Sequence, residues 1–440
     1  MERVLLLLLG FSIALPTVGV PLNELYTLPL VAVVGLFWAA TRTFREGLGA
    51  GHAWAALLLG AFAVTSIFRH PVLSYGLSLG ALALAILPLT VRPRGQVQVD
   101  ALLLGFKVGL VLTLFIAFMQ IFLQLLPGRL PLQDFLGEHL TKPQGDFLGY
   151  NRPAAGFAEP SHLAIYLCAC FALQDHLPGP PGSRAWWKIT LGLAIVLSGS
   201  LSGVAILVAY LAARVVVALF RRRSRRPGSR AAMAWVAGLA IVAILGMVLQ
   251  DSLAEAVQVY AERLLTAQED IALDNLMSSE GSRLFAYLAL IDFWDSAGLP
   301  GVLFGTGYGN YREFLAQMYG NLSQVTSFGR GDIDNMLVAV LLSTGMLGGL
   351  VYAAYTLRQL AGVPTASKAS LIVLLVAINF SYGFLIAPLY WNLLFVLSVG
   401  GVLTAQSQLA RPGLPKARSS QRTTGSYPTG RARPDPVAGN

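Results

Sequence analysis

The sequence predicts an all-α polytopic membrane protein of about twelve transmembrane helices, with one large outer loop carrying amphipathic helices. The first observation is composition: 55% of the residues are hydrophobic and only 12% are charged. Soluble domains carry roughly a quarter charged residues, which excludes an ordinary soluble fold. The second is that apolar runs near 20 residues recur along the chain, each long enough as a helix to cross about 30 Å of hydrocarbon. The third is the uneven placement of the basic residues, which sets a topology.

In chain order the apolar runs fall at 3–20, 24–40, 53–68, 73–91, 101–126, 160–177, 186–199, 201–220, 231–250, 334–356, 369–387 and 389–406. Met1-Glu-Arg followed by Val4–Leu9 has the look of a secretion signal. No small-residue cleavage pattern follows and more spans come after, so an uncleaved first helix is expected. Residues 1–250 therefore hold helices one to nine, with an outer loop at 127–159. Residues 251–333 form the large outer loop, 334–406 hold helices ten to twelve, and 407–440 form a tail rich in Pro, Gly, Ser and Arg that is expected to be disordered. Within the large loop, Leu253, Val257, Tyr260 and Leu264 recur at helical spacing, as do Leu284, Tyr287, Leu288, Ile291 and Trp294. Both stretches read as amphipathic helices on the membrane surface. No internal repeat and no pair of interrupted helices, such as transporters often show, stands out.

The formal net charge of +9 does not point to nucleic acid. With the amino terminus inside, 21 of the 31 Lys and Arg residues fall on inner segments, chiefly Arg42, Arg45, Arg92, Arg94, the Arg221–Arg230 cluster and the tail. That asymmetry is the positive-inside rule, and it puts both termini inside and the 251–333 loop outside. The basic excess reports topology and attraction to anionic membrane lipid. Cys168 and Cys170 share one apolar span, point to different faces and lack partners at metal spacing, so they read as packing residues.

Charged groups near the outer helix ends are the candidates for chemistry, because a charge facing hydrocarbon is costly. Glu159, His162 and Tyr166 stand at i, i+3 and i+7 on one face of the sixth span, whose first turn accommodates Pro160. Arg152 precedes them in a short loop that can fold back over the helix start. The plainer reading makes Glu159 a dipole-favoured acid at a helix amino terminus with Arg152 as its surface ion pair. In Gly329-Arg-Gly-Asp-Ile-Asp-Asn335, Asp332 is the natural N-cap. Asp334 and Asn335 then fall just inside the helix, where an Asp without a task is expensive. Arg283 opens the second amphipathic helix, where its guanidinium can fork onto a phosphate or simply anchor at the interface. Gly305-Thr-Gly-Tyr-Gly309 lacks the strand–helix–strand frame of a dinucleotide loop and reads as a tight turn that lets backbone approach a ligand. Ser198-Gly-Ser-Leu-Ser-Gly203 reads as close helix packing or as part of a site wall. Asn379, Ser381, Tyr382, Tyr390 and Asn392 form a candidate polar cleft wall. No metal-binding or cofactor motif is present in the sequence.

Arg152-Pro-Ala-Ala-Gly156-Phe-Ala-Glu159-Pro160-Ser161 resembles the Arg…Gly-Phe…Glu-Pro-Ser stretch of bacterial O-antigen and exopolysaccharide polymerases, relatives of the O-antigen ligases. Ser198–Gly203, Gly305–Gly309 and Asp334-Asn335 with Gly345 and Gly348 follow in the family's order, and the resemblance covers roughly 120–400. It implies a C-type glycosyltransferase (GT-C) like membrane fold in the inner membrane, with a periplasmic active face and no metal or other cofactor. It further implies an undecaprenyl-diphosphate-linked oligosaccharide as substrate and a chain-length regulator as a further candidate partner. Arg152 and Arg283, with Arg330, then suit a leaving diphosphate, and Glu159 or Asp334 suits the base, with His162 able to assist either. Ligases resemble one another in a His-Asn pair where this chain has Asp334-Asn335, and that departure favours a polymerase over a ligase. A transporter or flippase predicts ionisable residues near the bilayer midplane and broken helices, whereas the charges here cluster at outer helix ends.

Overall fold

The computed structural model describes residues 1–14, 19–21, 27–67, 73–93, 95–125, 146–147, 150–155, 157, 159–177, 180–222, 279–307, 311, 314, 335–381 and 388–409. The expected span at 231–250, the helix around 253–264, Arg330, Asp332, Asp334 and residues 410–440 lie outside them. The described helices are α1 (Glu2–Ile13), α2 (Leu30–Glu46), α3 (Ala50–Ile67), α4 (Leu73–Ile86), α5 (Gln96–Leu125), α6 (Pro160–Leu173), α7 (Pro181–Leu197), α8 (Leu201–Arg222), α9 (Ser279–Phe304), α10 (Met336–Gln359), α11 (Thr365–Ser381) and α12 (Pro388–Leu409). Among the described residues, three helical stretches are long and apolar enough to cross a membrane: Gln96–Phe122, Leu201–Ala218 and Met336–Gln359. Shorter apolar helices surround them, and the chain is a helical membrane protein.

The start of the chain departs from the expected spans 3–20 and 24–40. Helix α1 stops at Ile13, and Gly19–Pro21 (β1) pairs antiparallel with Thr27–Pro29 (β2), Val20 opposite Leu28. Pro16, Pro21 and Pro29 account for this, since a proline removes a backbone donor and clashes with the preceding helical turn. Beyond Pro29, α2 runs six residues past the expected end at residue 40, to Glu46, because its charged end has partners. Arg45 Nη1 lies 2.7 Å from Glu2 Oε1, Arg42 Nη1 lies 3.6 Å from Glu2 Oε2, and Arg42 also pairs with Glu46 one turn on. A second two-stranded ribbon joins Asp146–Phe147 (β3) to Tyr150–Asn151 (β4).

Helix α1 packs on α5 through Gly10, Gly105 and Gly109, where an added Cβ would meet Leu102 O, Leu7 O and Phe11 O in turn. Small residues let helix backbones approach this closely where lipid supplies no hydrophobic drive. Helix α6 is different: every residue from Pro160 to Leu173 is buried. It is apolar all round, and such a helix belongs in the middle of a bundle. Helices α7, α8 and α12 enclose it, with Gly203 of α8 packed against Ala164 and Gly400 of α12 against Leu173. Of the last span, expected at 389–406, Tyr390 to Leu397 are likewise almost wholly buried.

Helices α5 and α10 fix two ends of the molecule. Arg92, just before α5, donates from Nη2 to the carbonyl of Gln359 at the close of α10, 2.8 Å away. Gln120, near the far end of α5, reaches the Arg152 loop, about 36 Å along the helix axis from Gln96. The candidate site occupies the Arg152 end.

Candidate outer site

The turn after Arg152 is held by one side chain. Gln120 Oε1 accepts from the backbone N–H groups of both Ala154 and Ala155, at 3.1 and 3.0 Å, and Phe157 N donates to Ala154 O at 2.8 Å. Ala155 sits at φ +47°, a left-handed conformation that costs a residue with a Cβ about 1–2 kcal/mol. Strain of this kind persists only where the surroundings impose it, and it collects at functional positions. Here the surroundings are the Gln120 amide and the buried side chains of Ala154, Ala155 and Phe157. Arg152, at the head of this turn, is half-buried and donates from Nε to Ser198 O over a long 3.4 Å.

Ser198 belongs to the small polar turn between α7 and α8, where the expected close helix packing appears. Its hydroxyl donates to Ile195 O at 2.6 Å, Gly199 takes φ +62°, and Gly203 O accepts from Cys168 Sγ at 3.2 Å across the α6–α8 contact. The turn is thus tight helix packing whose outer carbonyl meets Arg152.

Glu159 is the N-cap residue of α6, in extended conformation. Its side chain makes no cap bond, and Oε2 accepts instead from Ser161 Oγ at 2.9 Å. Among the described residues no ion pair joins it to Arg152, so the plain ion-pair reading fails while the helix-terminus position holds. His162, one turn in, is buried, with 8% of its surface exposed. Tyr166 does not reach the mouth. It is fully buried, its ring 5.2 Å from that of Phe157 and 5.8 Å from that of Phe106. The helix is enclosed on all sides, only its N-cap Glu159 being partly exposed, and the assignment of Tyr166 to substrate binding is corrected to packing beneath the site.

The end of the large loop also differs from expectation. Helix α10 begins at Met336, and its cap is Asn335 rather than Asp332. Asn335 Oδ1 accepts from Val338 N at 3.1 Å, and Nδ2 donates to Tyr287 OH at 2.6 Å. With both ends of its amide engaged and no exposed surface, Asn335 is a joint between α9 and α10, not a substrate ligand in this arrangement. The described contacts do not join it to the Arg152 group. Arg283 lies on α9 as expected, but its side chain falls outside the described residues.

Helix α9 buries part of the expected stripe: Tyr287 and Trp294 pack at the edge of its contact with α10, and the side chains of Leu284 and Leu288 lie outside the described residues. Ala286, Ala289, Leu290 and Phe293 pack on Val338, Ala339 and Leu342 of α10, while Ile291 is 51% exposed. From Tyr287 beside Asn335 to Phe304 beside Gly345, α9 runs along the first half of α10 rather than lying flat across helix ends. At its close, Gly305 and Gly307 adopt φ +74° and +94°, and Thr306 N and Gly307 N donate to Leu342 O and Ser343 O at 2.7 and 2.9 Å. Those carbonyls are free because α10 is interrupted at Gly345, φ +63° and ψ −167°, a backbone region open essentially to glycine alone. Gly305–Gly307 therefore approach a broken helix, Tyr308 and Gly309 lying outside the described residues, and an interrupted helix is present where the sequence showed none.

Of the Asn379–Asn392 group, Asn379, Tyr390 and Asn392 are interior, and Tyr382 lies outside the described residues. Tyr352 OH donates to Asn379 Oδ1 at 2.6 Å, and Asn379 Nδ2 donates to Leu375 O at 2.8 Å. Both Asn379 and Asn392 are buried, so they are not a cleft wall. Cys168 and Cys170 are buried thiols within α6. Among the described residues no three His, Cys, Asp or Glu side chains converge on a common point.

Fold and site together define a helical membrane protein with a strained, basic turn at one end of an enclosed helix. No protein-family model matches the chain, and no curated protein is significantly similar to it.

Proposed function

We propose that this chain is a polymerase of lipid-linked oligosaccharide repeat units, a metal-independent glycosyltransferase with a GT-C-like fold of about twelve spans in a bacterial inner membrane. It transfers the growing glycan from undecaprenyl diphosphate to the incoming lipid-linked repeat at the periplasmic face. The observation that carries the reading is the Arg152–Ala155 turn, strained and clamped by Gln120 at the start of the helix that also presents Glu159 and His162. A turn fixed in this way holds a guanidinium ready for a diphosphate without reorganisation at the moment of reaction.

In the proposed step the attacking sugar hydroxyl forms a bond to the anomeric carbon of the growing glycan. The bond from that carbon to the diphosphate oxygen breaks, its electron pair leaving with undecaprenyl diphosphate. The hydroxyl proton passes to a carboxylate, Glu159 or Asp334. Arg152 and Arg283, with Arg330, take up charge on the departing diphosphate.

The test is purified protein in nanodiscs with synthetic undecaprenyl-diphosphate oligosaccharide. Wild type yields a ladder of glycans, and Arg152→Ala lowers its rate about a hundred-fold, the scale expected when one preorganised donor is lost. Asp334→Asn costs far more rate than Asp332→Asn; equal effects reduce Asp334 to a structural acid. Coupling of glycan to lipid A–core in place of a ladder makes the chain a ligase.

One observation favours a second reading. The interruption of α10 at Gly345, with α9 docked into it, is the kind of discontinuous helix on which transporters build their sites. Movement of a labelled lipid-linked oligosaccharide across the membrane with no new glycosidic bond would establish that reading and end the first.

A further inference from the structure

At the end of the molecule opposite Arg152, a polar cavity of about 420 Å³ opens between the α2–α3 connection, the segment before α5 and the close of α10. Its lining includes Glu46, His52, Thr90, Arg92, Arg358 and Gln359. Arg92 donates to the Gln359 carbonyl, and the Arg358 guanidinium lies 5.2 Å from the centre of the Trp54 ring. Among the described residues neither guanidinium pairs with a carboxylate. Glu46, the one carboxylate in the lining, is engaged by Arg42. Burial and then the field of Arg358 hold Arg92 below its ordinary value, and both arginines line the same space.

A second cavity adjoins the first. It measures about 330 Å³ and is lined by Leu36, Ala39, Ala40, Thr43, Phe44 and Leu87, with His52 common to both. His52 Nδ1 accepts from Gly49 N at 3.1 Å. The proton is therefore on Nε2, which lies 2.8 Å from Thr43 Oγ1 and donates to it. A neutral, fixed imidazole thus stands between a cationic chamber and an apolar groove. The groove runs about 10 Å along α2, with Leu36 and Phe44 exposed on its rim.

A cationic chamber that opens directly onto an apolar groove has the chemistry of one ligand class. We propose that this is a binding site for an anionic phospholipid of the adjacent leaflet, its phosphate between Arg92 and Arg358 and one acyl chain along the Leu36–Leu87 groove. A free phosphate has the same headgroup chemistry but no use for the groove. Charge complementarity together with the adjoining apolar channel commits the site to the lipid. The proposal is independent of any transfer at the opposite face.

Delipidated full-length protein in detergent, titrated with phosphatidylglycerol, phosphatidylcholine or inorganic phosphate and followed by native mass spectrometry, tests it. Phosphatidylglycerol is expected to bind in preference to phosphatidylcholine, and Arg92→Gln and Arg358→Gln each to weaken it about five-fold. Ala40→Trp, which fills the groove and leaves both arginines in place, is expected to weaken the lipid and spare any phosphate binding. Equal binding of phosphatidylcholine overturns the proposal. So does unchanged affinity in both arginine variants, or in Ala40→Trp. Full displacement of the lipid by an equal concentration of inorganic phosphate assigns the site to free phosphate and likewise overturns it.

Discussion

Among the described residues, neutral groups do the holding at the Arg152 end of the bundle, whereas charged groups do it toward the Arg92 end. Gln120, Ser161, Ser198 and Asn335 do the holding at the first end. Glu2 with Arg42 and Arg45, and Asp175 with Lys188, Arg214 and Tyr210, do it toward the second. The difference follows from what each end must leave available. A hydrogen bond from a neutral partner orients an arginine or a carboxylate without cancelling its charge, while an ion pair offsets one charge with another. The proposed transfer needs charges at the outer face, whereas the ion pairs toward the other end join helices, with Arg92 and Arg358 set apart from them.

The largest expected effect tests the charged end. Asp175 accepts from Tyr210 OH at 2.7 Å, lies 3.5 Å from Arg214 Nε and pairs with Lys188, with its side chain 14% exposed. Asp175→Asn keeps the shape and removes the negative charge that Lys188 and Arg214 share among the described residues. Two cations are then left partly buried without an anion, at a cost of about 3 kcal/mol, the low end for a broken buried pair because both cations keep some contact with water. Thermal unfolding of the detergent-solubilised protein measures this. A change within experimental error places the cohesion of this end in its apolar packing instead.

The next effect tests the neutral end. Gln120→Leu leaves the N–H groups of Ala154 and Ala155 without their acceptor while Ala155 retains its strained conformation. The expected cost is about 2 kcal/mol. Polymer synthesis should fall further than stability does, because Arg152 loses its fixed position. Gln120→Glu retains the acceptor oxygen and should recover most of the rate. Loss of stability with no loss of rate would make the clamp purely structural.

These two ends were unequally legible in the sequence. Long apolar runs located the helices well: the run at 101–126 corresponds to Gln96–Leu125, and the charged ends of α2 and α10 fell where basic residues cluster. Failures came where lipid replaces water as the solvent. On α9 the large apolar stripe marks only part of the packed face, Tyr287 and Trp294, because in a membrane protein the outward face can be as apolar as the packed one, and small residues such as Ala286 and Ala289 complete it. Prolines 16 and 21 signalled the early end of α1 and were overridden by the length of the apolar run. Gly345 enters the sequence reading only through the order of motifs in the resemblance; its φ of +63° goes with the approach of Leu303 and Phe304, more than 40 residues away in sequence. Gln120 carried a usable signal, a polar side chain inside an otherwise apolar span, which in hydrocarbon needs a partner.

The smallest expected effect separates capping from bridging at Asn335. Capping the start of α10 and donating to Tyr287 are distinct tasks carried by the two ends of one amide. Asn335→Ala removes both, and loss of an N-cap alone costs about 1 kcal/mol. Asn335→Asp keeps an acceptor for Val338 N and can also accept from the Tyr287 hydroxyl, so it should lose little. Tyr287→Phe removes the bridge and leaves the cap. If bridging contributes, Asn335→Ala and Tyr287→Phe together cost less than the sum of the two singles by about 0.5 kcal/mol or more. Strict additivity would mean that α9 is held against α10 by its small-residue face alone. In that case the neutral end reduces to the Gln120 clamp and the Ser198 turn, and the contrast with the charged end rests on those two contacts.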